Sequence, residues 1–277
     1  MFATLLDSRG YAPSFEARVA LLQRLGGPFL THDRDEGRLA RAAGMQIGLL
    51  VNARGGDGAE GSEGSGAVGE RDISVVRDLA PEIVAIRCSA LGDARFHDEA
   101  PRGAERRHTL LARLSKSLEE LRGAHRMIVA IDGTIAPLYA GEWGSLEAES
   151  LAIDPIGDPD SWRAAATWPG ARGLLLGLVP PPGGAAPQGP EVLLWAVSYA
   201  ASLGGRGGDR VGVAGLPIRA GGDLDAAVVD SADVSVRVDA LSEIVGLVAA
   251  DGATRRARLD PRAVSPAARL LDRRRSR

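Results

Sequence analysis

The chain has 277 residues, 45% of them apolar and 25% charged, which is the ordinary balance of a globular protein and is enough for one large domain or two small ones. Its 33 basic against 36 acidic residues leave a net charge of −3, so no basic nucleic-acid footprint is present. A single cysteine excludes a disulfide scaffold and a cysteine-based zinc knuckle, and the many glycines follow no three-residue period, which excludes collagen.

The chain opens MFATLLDSRG, without a basic n-region, and its first apolar run stops at Asp7, unlike a signal peptide. The longest apolar stretch, Gly173–Pro182, is about half of the ~20 residues a membrane span needs. A lone thiol suits a reducing compartment. The expectation is a cytoplasmic protein with neither membrane nor nucleic acid as a partner.

Short β-rich runs alternate with helical patterns along the chain, which argues for βαβ units and a parallel sheet. The first run is Phe2–Leu6. Ser14 then caps a helix with Phe15, Val19, Leu22 and Leu25 in helical phase, stopped by Gly26-Gly27. Pro28–Thr31 is a second strand ending at His32-Asp33, Asp35–Ala43 a short helix closed by Gly44, and Met45–Val51 a third strand ending at Asn52. The Gly/Ser/Glu-rich segment 54–70 is too polar to pack and reads as a mobile loop.

Asp72–Leu79 reads as a helix, and Glu82–Ile86 as a fourth strand ending at Arg87-Cys88. Ser89–Ala104 reads as polar loop. Leu110, Leu111, Leu114, Leu118 and Leu121 share one face of an amphipathic helix. Met127–Ile131 is a fifth strand ending at Asp132-Gly133, Leu151–Ile153 a sixth ending at Asp154-Pro155, and Gly173–Val179 a seventh. Glu191–Leu203 is helical, with Trp195 in phase and expected in the core. Val211–Ala214 is an eighth strand. Leu224–Val229 and Val234–Val238 look β-like and Leu241–Ala249 helical, followed by an arginine-rich tail.

Eight strand-like runs over about 215 residues match the repeat of a (β/α)₈ TIM barrel, shortened or irregular. The runner-up is an open doubly wound sheet. Against it, no Gly-rich fingerprint follows any strand, and GGRGGD at Gly204–Asp209 precedes one. The expected organisation is a single barrel over 1–250, with the flexible loop at 54–70 and a tail over 251–277.

Active sites of such barrels lie at the C-terminal ends of the strands. Those positions hold Asp7, His32, Asp33, Asn52, Arg87, Cys88, Asp132, Asp154 and Arg219. A polar residue after an apolar strand is also what any exposed loop shows; the convergence of several strands is what raises the set. Asp132 and Asp154, on adjacent strands, suit acid/base work, although Asp-Gly and Asp-Pro are also common turn dipeptides. Arg87 suits bidentate capture of a carboxylate or phosphate, or a salt bridge to a neighbouring acid. Pleat alternation then turns Cys88 into the packing layer. Tyr139 and Trp143 are candidates to wall a flat ligand. No H-x-H or H-E-x-x-H pairs the histidines, no strand precedes the GSEGSG serine, and no P-loop is present.

Four local segments carry a resemblance: Met127–Gly133 (MIVAIDG), Ser145–Pro155 (SLEAESLAIDP), Gly173–Gly205 (GLLLGLVPPPGGAAPQGPEVLLWAVSYAASLGG) and Asp209–Gly221 (DRVGVAGLPIRAG). In layout they resemble strands five to eight of the uroporphyrinogen decarboxylase / cobalamin-independent methionine synthase barrel superfamily. The methionine synthase branch holds zinc through a His and a Cys at strand five, an acid at strand six and a Cys after strand eight. Here those places hold Ile131-Asp132-Gly133, Asp154 and Leu216-Pro217-Ile218, so at most one ligand survives and no zinc is expected. The decarboxylase branch uses arginines near its N-terminus, and Arg9 and Arg18 sit in no matching motif.

The resemblance implies a barrel that binds a small anionic metabolite at the strand ends. Asp132 and Asp154 would be catalytic, in group transfer or decarboxylation without metal or cofactor. Arg87, Asp7, His32, Asn52, Tyr139, Trp143 and Arg219 would bind substrate. Two alternatives stay open: a non-catalytic degenerate homologue that serves as a binding or assembly partner, in a homodimer or with another protein, and a hydrolase using the Asp pair.

Overall fold

A computed structural model of the chain describes residues 2–54, 67–92, 101–133, 135, 140–217, 230–250, 253, 254 and 257. The strands are β1 (Ala3–Leu5), β2 (Phe29–Thr31), β3 (Ile47–Arg54), β4 (Ala67–Val68), β5 (Ile83–Arg87), β6 (His125–Ala130), β7 (Ser150–Ile153), β8 (Gly173–Val179) and β9 (Val211–Gly215). The helices are α1 (Phe15–Leu25), α2 (Arg34–Ala42), α3 (Glu70–Leu79), α4 (Pro101–Glu120), α5 (Ala140–Gly144), α6 (Ser161–Thr167), α7 (Pro190–Ser202) and α8 (Ser231–Ala249).

Setting aside β4, eight strands run parallel in the order β1-β9-β8-β7-β6-β5-β3-β2, and each is followed by a helix: the fold is a (β/α)₈ TIM barrel. The eight strands coincide with the eight apolar runs read from the sequence. No ladder joins β1 to β2. That seam is stitched by the Thr4 hydroxyl, which donates to the Pro28 carbonyl at 2.8 Å. Gly27 permits the approach, because a Cβ there would lie 1.8 Å from the Ala3 carbonyl oxygen.

Strand pleating sorts the apolar side chains into two layers. Leu30, Leu50, Ala85, Met127, Val129, Ala152, Leu175 and Ala214 fill the barrel interior, while their neighbours Leu49, Val51, Val84, Ile86, Leu151, Leu174 and Val213 face the helices. Small residues inside make room for large ones: a Cβ at Gly48 would meet Leu30 at 2.1 Å. The helices follow their capping signals. The Ser14 side chain accepts from the Ala17 amide at 3.2 Å, and Gly26 ends α1 at φ +66°.

Several expectations change. Val234–Val238 is not a strand but part of α8, because Val234, Val238 and Leu241 recur at helical spacing on one buried face and Asp230 caps the helix start. The segment 89–104 is only partly loop: Ser89–Gly92 forms a 3₁₀ turn, and α4 begins at Pro101, a residue favoured in a first helical turn. The end of the Gly-rich segment is ordered, with Ala67–Val68 pairing antiparallel to β3 and the Val68 amide donating to Ser117 Oγ at 3.0 Å. Residues 55–66, the β-like run Leu224–Val229, and Tyr139 and Arg219 lie outside the described residues, as does the tail from 258 onward. Trp195, expected in the core, is 58% exposed. No helix among the described residues is long and apolar enough to cross a membrane.

Candidate functional site at the C-terminal end of the barrel

Parallel strands in a closed ring bring their C-terminal ends to one rim, and a cavity of about 230 Å³ opens there over β5 to β9. Its floor is Ile131 and Leu216, the top layer of the barrel interior. Pro180, Pro181 and Ala185 from the β8–α7 connection wall one side, and Ile156 and Gly157 another. Among the described lining residues the charged ones are Arg87, Asp132 and Asp154, carried on or just beyond β5, β6 and β7.

Arg87 and Asp132 form a two-bond fork. Arg87 Nε donates to Asp132 Oδ2 at 2.7 Å and Nη2 donates to Oδ1 at 2.6 Å. The side chains are 16% and 23% exposed, so the pair is largely withdrawn from water. Hydrogen bonding to Asp132 outweighs burial and holds the Arg87 guanidinium above its usual range. Glycine makes the approach possible. The 3₁₀ turn after Cys88 presses on the Asp132 backbone, and a Cβ at Gly92 would lie 1.8 Å from the Asp132 carbonyl oxygen. Gly133, at φ +93°, completes that contact from the other side. Cys88 turns away as pleat alternation requires, is 1% exposed, and burial pushes its thiol up to about 11.

Asp154 is 4% exposed. Its Oδ1 accepts from the Ile156 amide at 3.2 Å and the Gly157 amide at 2.7 Å, an Asx turn that folds the chain back over the cavity edge. Asp132 and Asp154 line one cavity, and Asp154 also caps a turn.

The other half of the rim carries a second polar group. Asp7, after β1, accepts from Arg9 Nε at 3.0 Å and Arg9 Nη2 at 2.6 Å. Burial pushes the Asp7 carboxyl up, but the hydrogen bonds and charge of Arg9 prevail, aided by His32, and hold it below the usual carboxylate value. His32, after β2, reaches across the unladdered seam with Nε2 3.8 Å from Asp7 Oδ2. Burial lowers its imidazole below 6.5, with Arg9 and Arg87 pushing the same way against Asp7 and the Leu50 carbonyl. These influences favour the neutral imidazole of His32. Asn52 lies opposite Arg87 in the β3–β5 register and is exposed. Asp7, His32 and Asn52 share the rim but do not line the cavity. Trp143 is elsewhere: fully buried in the helix layer, edge-on to Trp168 with ring centroids 5.6 Å apart.

Sequence reasoning missed three residues that shape the cavity from outside. The buried Tyr11 hydroxyl donates to the Leu216 carbonyl at 3.0 Å, and only a glycine at 215 leaves room for that ring. Arg237 and Asp233, on α8, hold the 180–185 wall. The Pro180-Pro181-Pro182-Gly183-Gly184 run after a strand is a visible sign of a shaped loop, but the alternating valines at 234, 236 and 238 give no sign of the helix that holds it. Among the described residues no three His, Cys, Asp or Glu side chains gather as a metal site requires.

No protein-family model matches the chain. No match was found among curated proteins either. Solved structures do match in fold. A D-psicose 3-epimerase solved in the presence of D-fructose aligns with TM-score 0.50 at 11% identity, over 90% of this chain and 97% of that one. A D-allulose 3-epimerase from Methylomonas sp. aligns with TM-score 0.51 at 11% identity, over the same shares. At this identity the likeness is one of fold. It overturns the expected kinship with the uroporphyrinogen decarboxylase / methionine synthase superfamily, since the matching barrels are 3-epimerases. The physical reason is that a short apolar strand followed by an acid and a turn is common to parallel barrels, so the quoted segments carried the architecture and no lineage. The group-transfer and decarboxylation expectations rested on that kinship and lose their support with it.

Proposed function

We propose that this barrel binds a small hydroxylated metabolite, of monosaccharide class, in the cavity over β5 to β9. The observation that carries the reading is the convergence of Arg87, Asp132 and Asp154, from three neighbouring strands, on one cavity that is otherwise apolar. Its volume of about 230 Å³ lies below the roughly 300–1,000 Å³ of pockets for drug-sized ligands, which suits a small metabolite. Arg87 is already matched by Asp132, so this pair presents a balanced charge to the cavity. That balance favours an uncharged ligand over the anion expected from Arg87 alone. Carboxylate and guanidinium edges accept from and donate to sugar hydroxyls, while Ile131, Ile156 and Leu216 suit its C–H face. The 3-epimerases of similar fold are named for D-psicose and D-allulose, which supports the choice of sugar as the class to test.

Within this reading Asp132, forked to Arg87, orients the ligand, and Asp154, buried at the cavity edge, is the candidate for accepting a proton from a ligand hydroxyl. The test is calorimetric titration with D-fructose, D-psicose and glycerol beside lactate and citrate. A ketohexose should bind, and Asp154→Asn, which preserves the turn cap, should weaken it about tenfold or more. Tight binding of the carboxylates with none of the sugars would overturn the proposal.

A further inference from the structure

The cavity wall formed by residues 180–185 has almost no secondary structure of its own, yet it is gripped from behind by two side chains of α8. Arg237 is 1% exposed. Its Nη1 donates to the Pro180 and Ala185 carbonyls, both at 3.0 Å, and its Nη2 to the Gly184 carbonyl at 3.2 Å. The same guanidinium is held by Asp233, one turn earlier, through Nε at 3.2 Å and Nη2 at 2.9 Å. Asp233 Oδ2 in turn accepts from the Gly183 amide at 2.8 Å. Thus three carbonyls and one amide of a six-residue segment are tied to a single helix, and three residues of that segment, Pro180, Pro181 and Ala185, line the cavity.

A buried arginine costs desolvation unless its donors are matched, and this one is matched by the loop backbone instead of by a packed core. A hydrophobic side chain would fill the same space more cheaply but could not fix the carbonyls. Pro180 to Pro182 restrict the backbone φ values and remove competing N–H donors, so the loop presents carbonyls in a geometry that a planar fork can read.

We propose that Arg237 and Asp233 are positioning residues that set the width of the metabolite cavity, and thereby the size of ligand it selects. The part concerning ligand size rests on the binding reading above; the part concerning the wall stands on its own geometry. Removing the grip frees the 180–185 segment to move outward while the barrel interior, which it does not support, stays intact.

The experiment has two readouts. Amide exchange across 178–190 is followed by mass spectrometry in ligand-free protein for wild type, Asp233→Ala and Arg237→Lys; the lysine keeps the charge but loses the fork. Exchange at Gly183–Ala185 should accelerate about tenfold or more while protection of the β6–β8 amides is retained. Affinities for dihydroxyacetone and D-fructose are then measured, and their ratio should shift about fivefold toward one of the two sugars in both variants. Leu79→Ala, buried in α3, which packs against α2, lowers stability and serves as the comparator whose ratio stays put. Should Arg237→Lys fail to fold, Asp233→Ala, whose side chain is 31% exposed in wild type, carries the test. Unchanged exchange at 183–185 overturns the proposal, as does an unchanged ratio in a protein that binds both sugars. If wild type binds neither sugar, the metabolite reading is what fails, and the exchange data alone decide whether the grip exists.

Discussion

Asp132→Ala probes the centre of the site. The substitution removes two charge-assisted hydrogen bonds, of 2.7 and 2.6 Å, and leaves the Arg87 guanidinium facing the cavity without its partner. Removing one member of a fully buried pair costs about 3–5 kcal/mol, whereas a fully exposed pair is worth about 0–1 kcal/mol. With side chains 16% and 23% exposed, this pair lies between, nearer the buried limit before water reaches the vacated space. The expected loss is about 2 kcal/mol, which for a chain of this size lowers Tm by roughly 4–8 °C. Urea unfolding of wild type, Asp132→Ala, Arg87→Ala and the double variant closes a cycle whose coupling should be about 1–2 kcal/mol. A loss below about 0.5 kcal/mol, the size of an ordinary surface substitution, would refute the claim that the pair is withdrawn from water and organises the rim.

Three further outcomes are expected. His32 should titrate below 6.5 by NMR, and Asp7→Asn should lower its midpoint further, because the Asp7 charge is among the influences that hold the imidazole up; a rise would contradict the geometry at the seam. The linked stability follows the same signs. A histidine depressed on folding contributes stability that is present above 6.5 and lost as pH falls through its folded value, and the depressed Asp7 contributes stability that is present above 3.8 and lost as pH falls through its own lowered value. Gly92→Ala should cost about 1–3 kcal/mol in urea unfolding by driving a Cβ into the Asp132 carbonyl, and it should weaken the Arg87–Asp132 coupling measured in the same background. Cys88, 1% exposed and with a thiol raised to about 11, should react with a thiol reagent at neutral pH only as fast as the protein opens; a rapid native-state reaction would show the β5 end to be open.

The fold was legible because its signals are local. Each strand is a run of apolar residues short enough to read by eye, each of the main helices repeats its apolar face at helical spacing, and Ser14 and Gly26 mark ends by the chemistry of a single residue. Eight such repeats admit few architectures, and the strand ends identify the rim without knowledge of any contact. Where local patterns compete, the reading failed. Alternating valines at 234, 236 and 238 fit a strand by themselves, and it is the surface offered by α1, α7 and the sheet that makes them a helix. Val192, Trp195 and Tyr199 share one phase of α7, but the face that packs inward is Leu193, Ala196, Val197 and Ala200, and Trp195 stacks on Tyr199 at the surface, with ring centroids 5.3 Å apart.

What the amino-acid order determined alone is therefore the alternation of strands and helices and the set of polar residues that end each strand. Tertiary structure decided which of those residues meet. Arg87 finds Asp132 because two glycines, at 92 and 133, let separate turns touch; Asp7 faces His32 because the ring closes without a ladder between their strands. Arg237 reaches the cavity wall from 52 to 57 positions away. Periodicity is a property of neighbours along the chain, whereas a site is a coincidence in space of residues far apart in sequence, and only packing brings that coincidence about.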